Sequence, residues 1–129
     1  MMSDDPLEAG LRVRRAVLGD AHVDRALAKT TDFTRGFQEY ITENVWGDIW
    51  SRPGLDRKTR SMLTIGLMAA LGRHEEFQLH IRATANTGVT RAEVSEILLQ
   101  VGAYAGVPAA NSAYKLAADV YAAMDKENA

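Results

Sequence analysis

Apolar residues recur along this chain at spacings of three and four, and no stretch alternates with the period of two that a strand needs. The densest run, Met62 to Leu71, is apolar on nearly every side with Gly66 as its break, so the helix opened by Asp56 is expected at the centre of the core. Gly72 supplies a left-handed stop. A second helix, Arg73 to Thr87, sets Glu75, Glu76, His80 and Arg82 among Phe77, Leu79, Ile81 and Ala83, and Gly88 ends it. Glu76 and His80 stand four apart, on one helical face and within reach of each other.

The flanking segments read as further helices. Asp4 or Asp5 can cap a first one, with Pro6 near its start, Leu7, Leu11, Leu18 and the stem of Arg14 along one face, and Gly19 at its end. A short helix follows from Asp20, striped by Val23, Ala26 and Leu27. Thr31 or Asp32 opens a longer one whose apolar face is Phe33, Phe37, Tyr40, Ile41 and Val45. Trp46 to Asp56 is the main irregular stretch, and Pro53 forces Arg52 out of the helical region, so helix should finish near Ser51. Thr90 and Glu93 form a capping box before a helix with Val94, Ile97, Leu98, Val101 and Tyr104 inside. Gly106 closes it, Val107 and Pro108 turn, and Ala109 to about Met124 forms an alanine-rich last helix with Tyr114, Leu116, Ala117, Val120 and Tyr121 inward. The polar tail after it is expected to fray. The pattern predicts an all-α fold, one domain over residues 1–129 with about six helices joined by short turns.

Composition narrows the chemistry. A chain of 129 residues, 47% hydrophobic and 25% charged, can bury a sizeable core. A formal charge of −2 lacks the basic excess of a nucleic-acid binder. With no cysteine there is no disulfide, thiolate nucleophile, iron–sulfur ligation or thiol peroxidase chemistry. MMSDDPLEAG lacks the apolar run of a signal peptide and no segment reaches membrane-spanning length, so no membrane association and a cytoplasmic location are expected.

Few side chains remain for catalysis. His80 with Glu76 reads as a general acid–base pair or as a solvated pair that only supports its helix. No metal site is expected: His74 and His80 lie on poorly matched faces, HExxH is absent, and His22 reads as structural or exposed. Ser61, Ser95 and Ser112 lack the GxSxG elbow. Arg52, Arg57, Arg60, Arg73 and Arg82 surround the central helix pair; guanidinium groups suit carboxylates, so a small anionic substrate fits, although most can be surface charges. Trp46 and Trp50 read equally as a pocket wall or as core anchors.

Three blocks in order, WGDIWSRPGLDRKTRSMLTI, EEFQLHIRATANTGVTRAEVSEILLQ and GVPAANSAYKLA, resemble the carboxymuconolactone decarboxylase family, and LRVRRAVLGDAHVDRA and TDFTRGFQEYITENVWG extend the likeness over nearly the whole chain. The resemblance implies an alkylhydroperoxidase D-like helical fold and a homo-oligomer, a hexamer or trimer. The redox branch of that superfamily carries a CxxC pair with a downstream histidine. Here His80 is kept, Glu76 stands about where a redox cysteine would, and no cysteine exists, which points to the decarboxylase branch.

The implied reaction is loss of CO2 from 4-carboxymuconolactone to give 3-oxoadipate enol-lactone, in the β-ketoadipate pathway of aromatic catabolism. The lactone is its own electron sink, so no cofactor is expected. On the resemblance, His80 tuned by Glu76 is the proton donor or oxyanion partner, and Glu43 a second carboxylate for proton relay. Arg60 and Arg52 would bind carboxylate with Arg82 in reserve, Trp46 and Trp50 would wall the pocket, and Tyr104 or Asn111 would hydrogen-bond the lactone. The alternatives are a same-fold enzyme for another small lactone or β-keto acid, and a non-catalytic helical oligomer.

Overall fold

The computed structural model describes residues 5–129, which form seven α-helices, one π-helical turn and one 3₁₀ turn, with no strand among the described residues. The all-α expectation holds, with one helix more than the pattern suggested. The helices gather into two compact units that meet in sequence at Asp56 and Arg57, at the end of the Pro53–Gly54 turn.

In the first unit, α1 (Pro6–Leu18) starts on Asp5, whose Oδ1 accepts from the Leu7 N–H at 3.0 Å; Asp4 lies outside the described residues. Gly19, at φ 90°, ends α1 and begins α2 (Asp20–Ala28), and Arg15 ties the two helices by reaching Asp20 at 3.2 Å and Asp24 at 2.8 Å. The expected leucine face is displaced: Gly10, Arg14 and Val17 are the buried residues of α1. Gly10 is there because the backbone of Thr42 passes so close that a Cβ would sit 1.9 Å from its carbonyl oxygen.

The helix expected from Thr31 departs further. Thr31 and Thr34 exchange side-chain and main-chain hydrogen bonds in a turn, and α3 is only Arg35–Tyr40. The chain then widens into a π turn, Ile41–Trp46, closed by the Gly47 N–H donating to the Thr42 carbonyl five residues back at 2.9 Å. Thr42 and Trp46 become the inward residues, while Phe33, Phe37 and Tyr40, expected inside, are 96%, 65% and 60% exposed. After a 3₁₀ turn at Ile49–Ser51, Arg52 is extended (ψ 138°), as its position before proline requires.

The second unit is a four-helix assembly: α4 (Arg57–Leu71), α5 (His74–Thr87), α6 (Arg91–Ala105) and α7 (Val107–Glu127). Gly72 and Gly88 turn the chain in left-handed conformation, and the Thr90–Glu93 capping box forms as expected. The core joins Ile65 and Ala69 of α4, Phe77 and Ile81 of α5, Val94, Leu98 and Val101 of α6, and Ala113, Ala117 and Val120 of α7. Alanines let α7 approach closely: a Cβ on Gly102 would lie 3.3 Å from that of Ala110.

Three expectations are corrected in this unit. The α4 helix is not buried all round, because Ser61, Ile65 and Ala69 face inward while Leu63, Leu67 and Leu71 remain exposed. Tyr104 lies on the outside of α6. The α7 helix begins at Val107, with Pro108 in its first turn where a missing N–H costs little, and it does not fray at Met124. It continues to Glu127 because Arg91 grips Asp125 and Arg82 grips Glu127, each through both guanidinium nitrogens.

Candidate active site

The α5 helix places the central imidazole. Its inward stripe is Phe77, His80, Ile81, Ala83 and Thr84, the spacing that turns one face onto α4 and α7. His80 is therefore a core histidine, 8% exposed, and the only buried one of the three. Glu76, one turn earlier, is exposed at the acidic N-terminal end of the helix, where Glu75 and Glu76 complement its dipole. Four-residue spacing thus puts the acid and the imidazole on adjacent turns but in different surroundings, the carboxylate in water and the ring inside.

Around α5 the arginines differ in availability. Arg82 is already held by Glu127 at 3.0 and 3.1 Å, which raises its pKa and leaves it poorly placed to take a substrate carboxylate. Arg60 is half-buried on α4, and its carbonyl accepts from the Thr64 hydroxyl at 2.8 Å. Asn111 is exposed on α7. A buried hydroxyl pair also lies between α4 and α5: Thr87 and Ser61 share a 2.9 Å hydrogen bond, with Ser61 wholly inaccessible. Sequence reasoning set Ser61 aside for want of a nucleophile motif. The available signal was its place in the i, i+4, i+8 row with Ile65 and Ala69.

Tyr104 lines a groove of about 720 Å³ between α4 and α6, together with Met62, Leu63, Gly66, Leu67 and Ile97. No charged side chain lines it. A doubly anionic lactone would lose its hydration there without gaining a cation, so this groove by itself is chemically wrong for it.

In the first unit, Trp46 and Trp50 stack on each other, with ring centroids 5.0 Å apart at 25°, and both are buried. Glu43 is half-buried on the π turn, and Arg52 is exposed and pairs with Asp48 at 3.5 Å. Among the described residues no three histidine, aspartate or glutamate side chains converge as a metal donor set, and no helix is long and apolar enough to cross a membrane.

The described residues thus form an all-helical chain with a buried imidazole on α5 and no thiol, and comparison with known proteins supplies the class. Residues 35–119 match the model of the carboxymuconolactone decarboxylase family, and the chain belongs to that family. It is 46% identical over 121 residues to 4-carboxymuconolactone decarboxylase of Acinetobacter baylyi, covering 94% of this chain and 90% of that protein. It is also 48% identical over 101 residues to nitrosuccinic acid decarboxylase of Metarhizium robertsii, covering 78% of this chain and 71% of that one. A 4-carboxymuconolactone decarboxylase of Pseudomonas putida is 63% identical over 41 residues, 32% of this chain and 85% of that sequence.

Proposed function

We propose that this protein decarboxylates 4-carboxymuconolactone to 3-oxoadipate enol-lactone. The observation that carries the reading is the 46% identity to a decarboxylase of that substrate across 94% of this chain and 90% of the relative. The chemistry is self-contained. The bond from the ring carbon to its carboxylate breaks and CO2 leaves. The electron pair moves through the ring double bond onto the lactone carbonyl as a 2-oxyfuran-like dienolate, and a proton is added at the carbon alpha to that carbonyl.

The protein must hold the acetate arm, offer donors to the oxyanion and deliver that proton. His80 supplies the proton or a hydrogen bond to the oxyanion, and its burial favours the reading, because a donor held away from water is worth more to a developing charge. Glu76 and Glu43 are the carboxylates proposed to assist proton transfer. Arg60 is the preferred carboxylate ligand, with Arg52 beside it in role; Arg82, paired with Glu127, stays in reserve. Trp46 and Trp50 would support the wall through their stack. Tyr104 and Asn111, both exposed, would meet a lactone only in the assembled oligomer.

The reading includes a cytoplasmic homo-oligomer, a hexamer or trimer, joined through the α4–α6 groove. Leu63, Leu67 and Tyr104, which line it, are each more than half exposed, an apolar surface of the kind that marks a protein contact. A second copy of this chain covers that face.

The 48% identity to nitrosuccinic acid decarboxylase favours a second reading, a related carbon acid as substrate. A nitro group accepts the electron pair as a lactone carbonyl does, so one scaffold suits either sink. Supplying the purified protein with 4-carboxymuconolactone and, separately, nitrosuccinate, while following CO2 release and substrate loss, distinguishes them. Turnover of the lactone at least ten-fold faster supports the first reading; the reverse order installs the second; CO2 from neither removes both.

A further inference from the structure

We propose that the cavity between α2 and the Thr30–Gln38 segment of the first unit binds a small oxyanion of the carboxylate or phosphate kind. It is a partly open hollow of about 350 Å³ with seven lining residues, among them His22, Arg25, Lys29, Thr30, Thr34 and Gln38. Three of the seven are basic and none is acidic. Asp20 and Asp24 pair with Arg15 and Asp32 with Arg35, while Glu39, next to Gln38, lines the adjoining hollow and not this one. Among the described residues no ion pair to Arg25 or Lys29 is formed.

A second, independent feature lies behind the cavity wall. Arg14 is 5% exposed and has no carboxylate partner among the described residues. Its Nη1 donates to Gln38 Oε1 at 3.2 Å and to Thr42 Oγ1 at 3.3 Å, while its buried Nε has no acceptor. A guanidinium buried without a counter-ion is costly, and burial pulls its pKa down. An anion in front of Gln38 would offset that charge. With Oε1 accepting from Arg14, the Gln38 NH2 remains as a donor on a residue that lines the cavity. Thr30 Oγ1, also buried and without a hydrogen-bond partner, adds a hydroxyl from the lining. Thr34 contributes less, since its hydroxyl already engages Thr31. His22 registers the field, because burial and then the charges of Arg25, Arg14 and Lys29 hold its pKa below the ordinary imidazole value.

The site shares no residue with those given roles in decarboxylation, so its test needs no turnover. The full chain is titrated with inorganic phosphate and, in a second arm, with succinate, at ionic strength held constant with sodium chloride, and the His22 ring signals are followed by NMR. A saturable shift of His22 and a rise of its pKa as the anion screens Arg25, Lys29 and Arg14 are expected. Whichever anion binds more tightly identifies the ligand class. Arg25→Ala with Lys29→Ala, both exposed positions, should weaken that affinity at least ten-fold with helical circular dichroism unchanged; Arg25→Gln provides a milder version should the pair disturb folding. A His22 response to chloride equal to that with phosphate and succinate overturns the proposal, as does equal affinity in the variants or no saturable response to either anion.

Discussion

Gly10→Ala sets two sizeable effects against each other. Alanine is the better helix former, by about 1 kcal/mol in a helix interior, and α1 runs through this position, so helix propensity alone predicts stabilisation. Packing predicts the opposite. The added Cβ would lie 1.9 Å from the Thr42 carbonyl oxygen, 2.7 Å from its carbon and 3.1 Å from its Cγ2, where real Cβ atoms essentially never come within 3.0 Å. The π turn would have to retreat by about 1.1 Å to restore that limit. What it would leave is a fixed network: Thr42 Oγ1 donates to Gln38 O at 2.7 Å, receives Arg14, and its own carbonyl caps Gly47. Overpacking of this kind costs ~1–3 kcal/mol or more, and the obstacle here is backbone rather than a movable side-chain end. With a backbone obstacle the cost falls in the upper part of that range, about 2–3 kcal/mol, so the clash should win by about 1–2 kcal/mol after the helix-propensity gain. Urea unfolding of the variant beside Gly36→Ala, whose Cβ meets nothing within 4 Å, provides the measurement. Gly36→Ala should be neutral or slightly stabilising. If Gly10→Ala proves as stable as the parent, the close approach of α1 to the π turn is wrong.

Replacing His80 by Ala should cut CO2 release ~10²–10⁴-fold with helical content retained; an unchanged kcat would remove the imidazole from the chemistry. Arg60→Ala should raise KM with little change in kcat if it only binds substrate, and a fall in kcat alone would assign it to the transition state. Glu93, Asp125 and Glu127 are held below the usual carboxylate range, chiefly by hydrogen bonds from the Thr90 backbone, Arg91 and Arg82 respectively. Because their folded pKa values are lowered, their stabilisation is complete above the unfolded carboxylate range and is lost as pH falls through the lowered values. Thermal melts from pH 7 downward should show Glu127→Gln losing less stability on acidification than the parent, and parallel curves would contradict the pairing. Leu67→Arg, placed in the α4–α6 groove, should shift the sedimentation coefficient toward that of a monomer, whereas an unchanged assembly would move the interface elsewhere.

Local rules proved dependable wherever one or two residues decide the backbone. The stop before Pro53, the turns at Gly19, Gly72 and Gly88, and the reciprocal Thr90–Glu93 cap were all readable, since each depends on dihedrals or hydrogen bonds within a few positions. His80 stood out in the sequence through its four-residue spacing from Glu76, whereas its place on the inward stripe of α5 belongs to the packing. Helical period alone misplaced the inward face of this segment, which carries Thr42 and Trp46 rather than Phe37 and Tyr40.

By itself, then, the order of residues determined an all-helical chain, most of its helix ends, the absence of thiol chemistry and one distinctive imidazole. Only the tertiary structure decided which face of α4 meets the core, that Glu127 occupies Arg82, that Ser61 pairs with Thr87, and that Arg14 is buried behind a cavity lined with basic groups. The physical reason is separation along the chain. Capping and periodicity act within a turn or two, whereas Arg82 and Glu127 stand 45 residues apart and Arg14 and Thr42 stand 28 apart, pairs that no local spacing brings together.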